Sequence, residues 1–161
     1  MRGKTYTLSE NGFLQLVCLL KSGGKWLLPS PLSVRASDFL RAREEWIKKG
    51  LAQLDFDGKL HPDRDFARTY YNIAQARAAQ KYEGGKETVY QLRGPVDILL
   101  IRPVEEGWEL CLRPPLEGLL WVVPLKEQGR GRLTTLAVRD GRERLMETEL
   151  SAARQLPQEL I

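Results

Sequence analysis

The chain has 161 residues, with 25 Lys and Arg against 21 Asp and Glu, a single histidine and two cysteines. That length fits one ordinary domain or two very small ones and buries roughly two thirds of the unfolded surface, so the fold needs no covalent staples. Cys18 and Cys111 lie 93 positions apart in apolar stretches, which excludes a disulfide framework and suits two buried free thiols. The residues before Phe13 do not form a secretory leader, and no stretch approaches the roughly 18 apolar residues of a membrane span, so the cytoplasm is the expected location. Residues 1–81 carry 14 Lys and Arg against 8 Asp and Glu, and residues 82–161 carry 11 against 13; a basic first half is compatible with nucleic acid or an acidic partner.

Ser9 has the chemistry of a helix N-cap, and Phe13, Leu16, Val17 and Leu20 then recur on one helical face up to Ser22-Gly23-Gly24. Pro29 and Pro31 make the segment 25–34 extended. Ser37-Asp38 opens a second helix, in which Phe39 with Trp46 and Leu40 with Ile47 recur after seven residues, and Gly50 ends it. Leu51 to His61, turning at Asp57-Gly58, has the composition of a hairpin with a type I′ turn. Pro62-Asp63 begins a third helix expected to run to about Lys81, with Phe66, Tyr70, Ile73 and Ala74 inward and an alanine-rich second half of high helix propensity.

Beyond Gly84-Gly85 the chain turns to β-branched and aromatic runs at 88–92, 96–102, 108–112 and 119–125, joined by connectors short enough for antiparallel neighbours. Gln128 to Arg132 reads as a basic loop, 133–146 as a further hairpin and Thr148 to Leu156 as a short helix, with helix throughout as the alternative for this last part. The expected fold is α+β. A helical amino-terminal part, 1–83, with a small winged-helix-like hairpin precedes an antiparallel sheet part, 84–161, the two sharing one core or standing apart.

The residues supply little for catalysis. His61 is the one candidate acid-base histidine, and neither Ser9 nor Cys18 sits in an activating motif. Lys21 to Lys25 lacks the spacing of a phosphate-binding loop, and Asp63 and Asp65 stand where a helix dipole favours acids. No catalytic, cofactor or metal residue is therefore assigned.

Two binding readings remain. A protein partner is suggested by the sheet half, whose run Leu119 to Val123 is apolar on both faces; Trp108, Leu119, Trp121 and Val123 are the candidate contacts. A duplex DNA partner is the alternative, with the helix 37–49 and its hairpin acting as recognition helix and wing, and with Arg41, Arg43, Lys48, Lys49 and Lys59 facing phosphate.

Leu8-Ser9 opening a leucine-rich helix, Trp46-Ile47-Lys48-Lys49-Gly50-Leu51 closing another, Asp57-Gly58 before a third, then Ile98 to Pro103 and Trp108-Glu109-Leu110 in successive strands together resemble the EspG-type proteins and their relatives in Gram-positive bacteria. The resemblance spans residues 7–125. It implies a cytosolic chaperone or accessory factor of type VII secretion that holds helical-hairpin substrates before export. The sequence thus favours a non-enzymatic adaptor or chaperone without cofactor, with a winged-helix transcriptional regulator as the alternative.

Overall fold

The computed structural model describes residues 5–19, 27–29, 35–84, 87–113, 131–139 and 142–150. In chain order the elements are β1 (Thr5–Leu8), α1 (Glu10–Cys18), α2 (Ala36–Lys48), β2 (Ala52–Leu54), β3 (Leu60–Pro62), α3 (Arg64–Ala74), β4 (Ala78–Gly84), β5 (Glu87–Arg93), β6 (Ile98–Val104), β7 (Gly107–Arg113), β8 (Gly131–Arg139) and β9 (Arg142–Leu150). Seven strands form one antiparallel sheet in the order β1-β7-β6-β5-β4-β8-β9, and β2 pairs with β3 in a separate hairpin.

This architecture corrects the expected α+β layout. The first half is not a helical unit followed by a sheet, because β1 and β4 both belong to the large sheet and strand outweighs three short helices. Residues from both parts meet in one apolar cluster, in which Phe13, Trp46 and Phe66 join Tyr90, Leu99, Ile101 and Leu110. The third helix stops at Ala74 rather than near Lys81. Its alanine-rich continuation becomes β4, paired on one side with β5 and on the other with β8. Two ladders of backbone hydrogen bonds outweigh the few tenths of a kcal/mol per residue by which alanine prefers helix. Likewise Thr148 to Leu150 end β9 and do not begin a helix, while residues 151–156 and the strand expected at 119–125 lie outside the described residues.

Ser9 caps α1 as its residue type dictates, its hydroxyl accepting from the Gly12 N–H at 3.0 Å. The connection between β2 and β3 is wider than a two-residue type I′ turn. Leu54 pairs with Leu60, the Asp55 N–H donates to the Lys59 carbonyl, and Gly58 alone takes a positive φ, of 78°.

The central part of the sheet is buried on both faces. Leu99, Ile101, Tyr90, Leu92 and Leu110 meet the helices, and Ile98, Leu100 and Cys111 cluster on the other side. Register places Tyr82, Val89 and Leu133 on that second face too, and all are almost fully inaccessible. At these residues the second face is therefore buried and is not an open apolar patch.

Trp46 is the largest side chain buried on the helix face. Phe39 meets its ring edge-on at 6.0 Å and Phe66 lies 5.5 Å away, with Tyr6 of β1 edge-on to Phe66 at 6.0 Å. Its indole N–H has no hydrogen-bond partner in the structure. Trp46→Ala should therefore cost about 3–5 kcal/mol in urea unfolding, the range for large aromatic truncations. Trp46→Phe should retain most of that stability, since no hydrogen bond is lost.

Candidate partner-binding surface

Glu45, on the third turn of α2, joins three elements. Its carboxylate accepts from the Ser9 hydroxyl, from the Ser9 N–H at 2.7 Å and from the Lys49 ammonium at 2.9 Å, and that ammonium also donates to the Thr7 carbonyl of β1 at 2.7 Å. Helix α1 can approach this closely because Gly12 faces the carboxylate; a Cβ there would lie 2.5 Å from Glu45 Oε1. Burial alone would raise the Glu45 pKa, but the hydrogen bonds from Lys49 and from the Ser9 side chain and backbone outweigh it and leave the carboxyl below its ordinary value of 4.5.

Between α1 and α2 lies an open cleft of about 500 Å³ lined by Ser9, Asn11, Leu14, Gln15, Asp38, Arg41 and Glu45. Its polar groups are largely engaged with one another. The Asn11 amide donates to the Asp38 carbonyl at 2.9 Å, and Arg41 pairs with the Asp38 carboxylate. The Ser9 hydroxyl both accepts and donates, so it is a cap and not a poised nucleophile. Burial pushes the Cys18 thiol up, away from a reactive thiolate. Among the described residues no three His, Cys, Asp or Glu side chains gather at metal-binding distance. His61 sits on β3, exposed, with its Nε2 2.6 Å from Asp55 Oδ2.

Of the contacts expected for a protein partner, Trp108 is half-buried against the core, stacked on Phe13 at 4.7 Å and near Tyr90 at 5.9 Å. Leu119, Trp121 and Val123 lie outside the described residues. The five basic residues expected at DNA are dispersed in their commitments. Arg41 is held by Asp38 and Lys49 by Glu45 and Thr7. The Arg43 Nε is buried without a hydrogen-bond partner. Lys48 and Lys59 are exposed and take part in none of the ion pairs among the described residues.

The feature that sequence reading missed is Phe56. It occupies the apex of the β2-β3 hairpin with its side chain completely exposed, and Leu54 beside it is 45% exposed. The apex is held in shape by Asp55, whose carboxylate accepts from the Asp57 and Lys59 N–H groups, both at 2.9 Å, and pairs with His61. Those bonds, led by the one from His61, bring the Asp55 pKa down. The sequence signal was present in Asp55-Phe56-Asp57-Gly58, where a large aromatic interrupts a run of turn-forming residues.

No protein-family model matches the chain, and no curated protein is significantly similar to it. The likeness to EspG-type proteins consequently stands on the residues quoted for it above.

The Glu45 linkage has a definite pH signature. A carboxyl whose folded pKa is depressed contributes stability that is present above its unfolded value and is lost as the pH falls through the folded one. Glu45→Gln should lower stability at pH 7 and flatten the acid limb of the stability profile below about pH 4.5, which thermal unfolding across pH 3–7 would register. A limb of unchanged steepness would remove Glu45 from that role.

Proposed function

We propose that this chain is a non-enzymatic protein-binding adaptor or chaperone. Its specific form is a cytosolic accessory factor of type VII secretion that holds a helical-hairpin substrate. The observation that carries the protein-binding reading is the hydrogen-bonded hairpin apex that presents Phe56 to solvent. An aromatic ring held clear of its own fold is an anchor for a pocket on a partner, and such anchors supply much of the energy at protein interfaces. Because Asp55 fixes the turn beforehand, little conformational freedom is lost when the ring docks. The specific form follows from the resemblance to EspG-type proteins. No described helix is long and apolar enough to cross a membrane, which accords with a factor acting in the aqueous phase.

The DNA alternative is weaker, since Arg41 and Lys49 already serve internal ion pairs and Glu44 adds a negative charge to the exposed side of α2.

The test is a size-exclusion and calorimetric titration of the purified protein with purified helical-hairpin substrates of the same cell's type VII pathway. A one-to-one complex weakened at least tenfold by Phe56→Ala, with unchanged unfolding temperature, is the expected outcome. If none of the substrates forms a complex, the secretion reading fails; if a complex forms that Phe56→Ala leaves intact, the apex is not its anchor. Lys48→Glu combined with Lys59→Glu, which spares the internal pairs, should leave that affinity within twofold, whereas a DNA binder would lose duplex affinity and its salt dependence together.

A further inference from the structure

Strand β9 closes one end of the large sheet, and among the described residues it is hydrogen-bonded on one side only, to β8. Its nine residues run in unbroken register from Leu150 opposite Gly131 to Arg142 opposite Arg139, with no bulge and no proline. A long regular edge of this kind offers a row of main-chain donors and acceptors to another strand.

The side chains sort by sign. Leu145 stands opposite Leu136, which belongs to the core cluster with the helices, so Glu143, Leu145 and Glu147 lie on the helix side of the sheet. Arg142, Arg144 and Met146 lie on the other side, and all of these except Met146 are exposed. One side of the edge is acidic and the other basic, with Leu145 and Met146 between.

This pattern discriminates between partners. Two copies pairing β9 to β9 antiparallel in a continuous sheet must place their twofold axis at a residue, so that directly opposed side chains share a face. With the axis at Arg142, Arg144 or Glu147, that residue opposes itself. An axis at Glu143 also sets Arg142 against Arg144. An axis at Leu145 sets Glu143 against Glu147. Each of the registers centred on Arg142 to Leu145 or on Glu147 opposes like charges, which is destabilising for cross-strand neighbours. In those registers the edge is guarded against its own kind, yet it stays regular enough to pair.

We propose that β9 is a docking edge for an extended segment of a different protein, added antiparallel, with basic residues opposite Glu143 and Glu147 and acidic residues opposite Arg142 and Arg144. This goes beyond the reading above and uses a different part of the molecule, the sheet edge instead of the hairpin apex.

The probe is a synthetic peptide containing Lys-Val-Leu-Glu-Lys-Glu, aligned from the position opposite Glu147 to that opposite Arg142, beside its charge-inverted counterpart Glu-Val-Leu-Lys-Glu-Lys. Binding to the full chain is measured by calorimetry, and protection of the 142–150 amides by hydrogen exchange. The matched peptide should slow exchange in β9 at least tenfold and bind at least tenfold more tightly than the inverted one. Glu143→Lys with Glu147→Lys, at exposed positions, should erase that preference without shifting the unfolding temperature. Equal binding of the two peptides, protection elsewhere than β9, or a homodimer in sedimentation that these substitutions dissociate would each overturn the proposal. Phe56→Ala should leave peptide binding unchanged, so failure at the apex and failure at the edge are told apart.

Discussion

Strand β6 is enclosed from both sides, with Leu99 and Ile101 turned to the helices and Ile98 and Leu100 turned away from them. Its first four residues must have neighbours on both edges and cover on both faces, because neither their backbone nor their apolar side chains can be left to water without cost. β5 and β7 supply the edges, and β7 in turn holds β1. The helices take one face only, so the second face is closed without them. The rest of the molecule can be understood as what this central strand requires.

On the helix face two attachments set the geometry. Glu45 gathers the start of α1 and the end of α2 around one carboxylate, and its partner Lys49 donates onward to the Thr7 carbonyl of β1. At the opposite end of the helical layer, Arg68 of α3 grips both oxygens of Asp97 in the β5-β6 turn, at 2.6 and 2.8 Å, while the buried Asn72 amide donates to the Leu92 carbonyl at 3.3 Å. Planar guanidinium-carboxylate pairing of this kind fixes direction as well as distance. The helices are therefore pinned, and the features left for recognition are those that project: the hairpin apex and the far strand of the sheet.

How legible this was depends on how local the deciding interaction is. The Ser9 cap, the apolar spacing in α1 and α2 and the run Ile98 to Ile101 carry their meaning within a few residues, and the structure has the corresponding elements there. The sequence 78–84 was misleading because its alanines favour helix locally, while only one of the two ladders that make it a strand comes from the neighbouring segment, 87–93, and the other comes from residues far along the chain, 131–137. β1 was hidden for the same reason, since four residues beginning Thr-Tyr-Thr have no pattern of their own and become a strand only beside β7. At the candidate site, the hairpin could be read but its apex could not, because Phe56 looked like the last strand residue until the turn proved to be five residues wide. The internal pairing of Arg41 and Lys49 was equally invisible, since opposite charges three or four positions apart on a helix read as ordinary surface.

The pairing of β1 with β7 has a consequence for how the chain is made. Thr5 meets Cys111 across a separation of 106 positions, and Gly107, whose φ of 144° disfavours any side chain, is packed so closely that a Cβ there would lie 2.1 Å from the Leu8 carbonyl oxygen. Contacts this distant in sequence form late and slow the search for the native state. During synthesis on the ribosome, β1 and α1 emerge ahead of β7, and β1 has no strand to pair with until β7 has been translated. Until then α1 can pack on α2 but lacks the sheet that completes its burial, making the nascent chain a candidate client for the cell's own general chaperones.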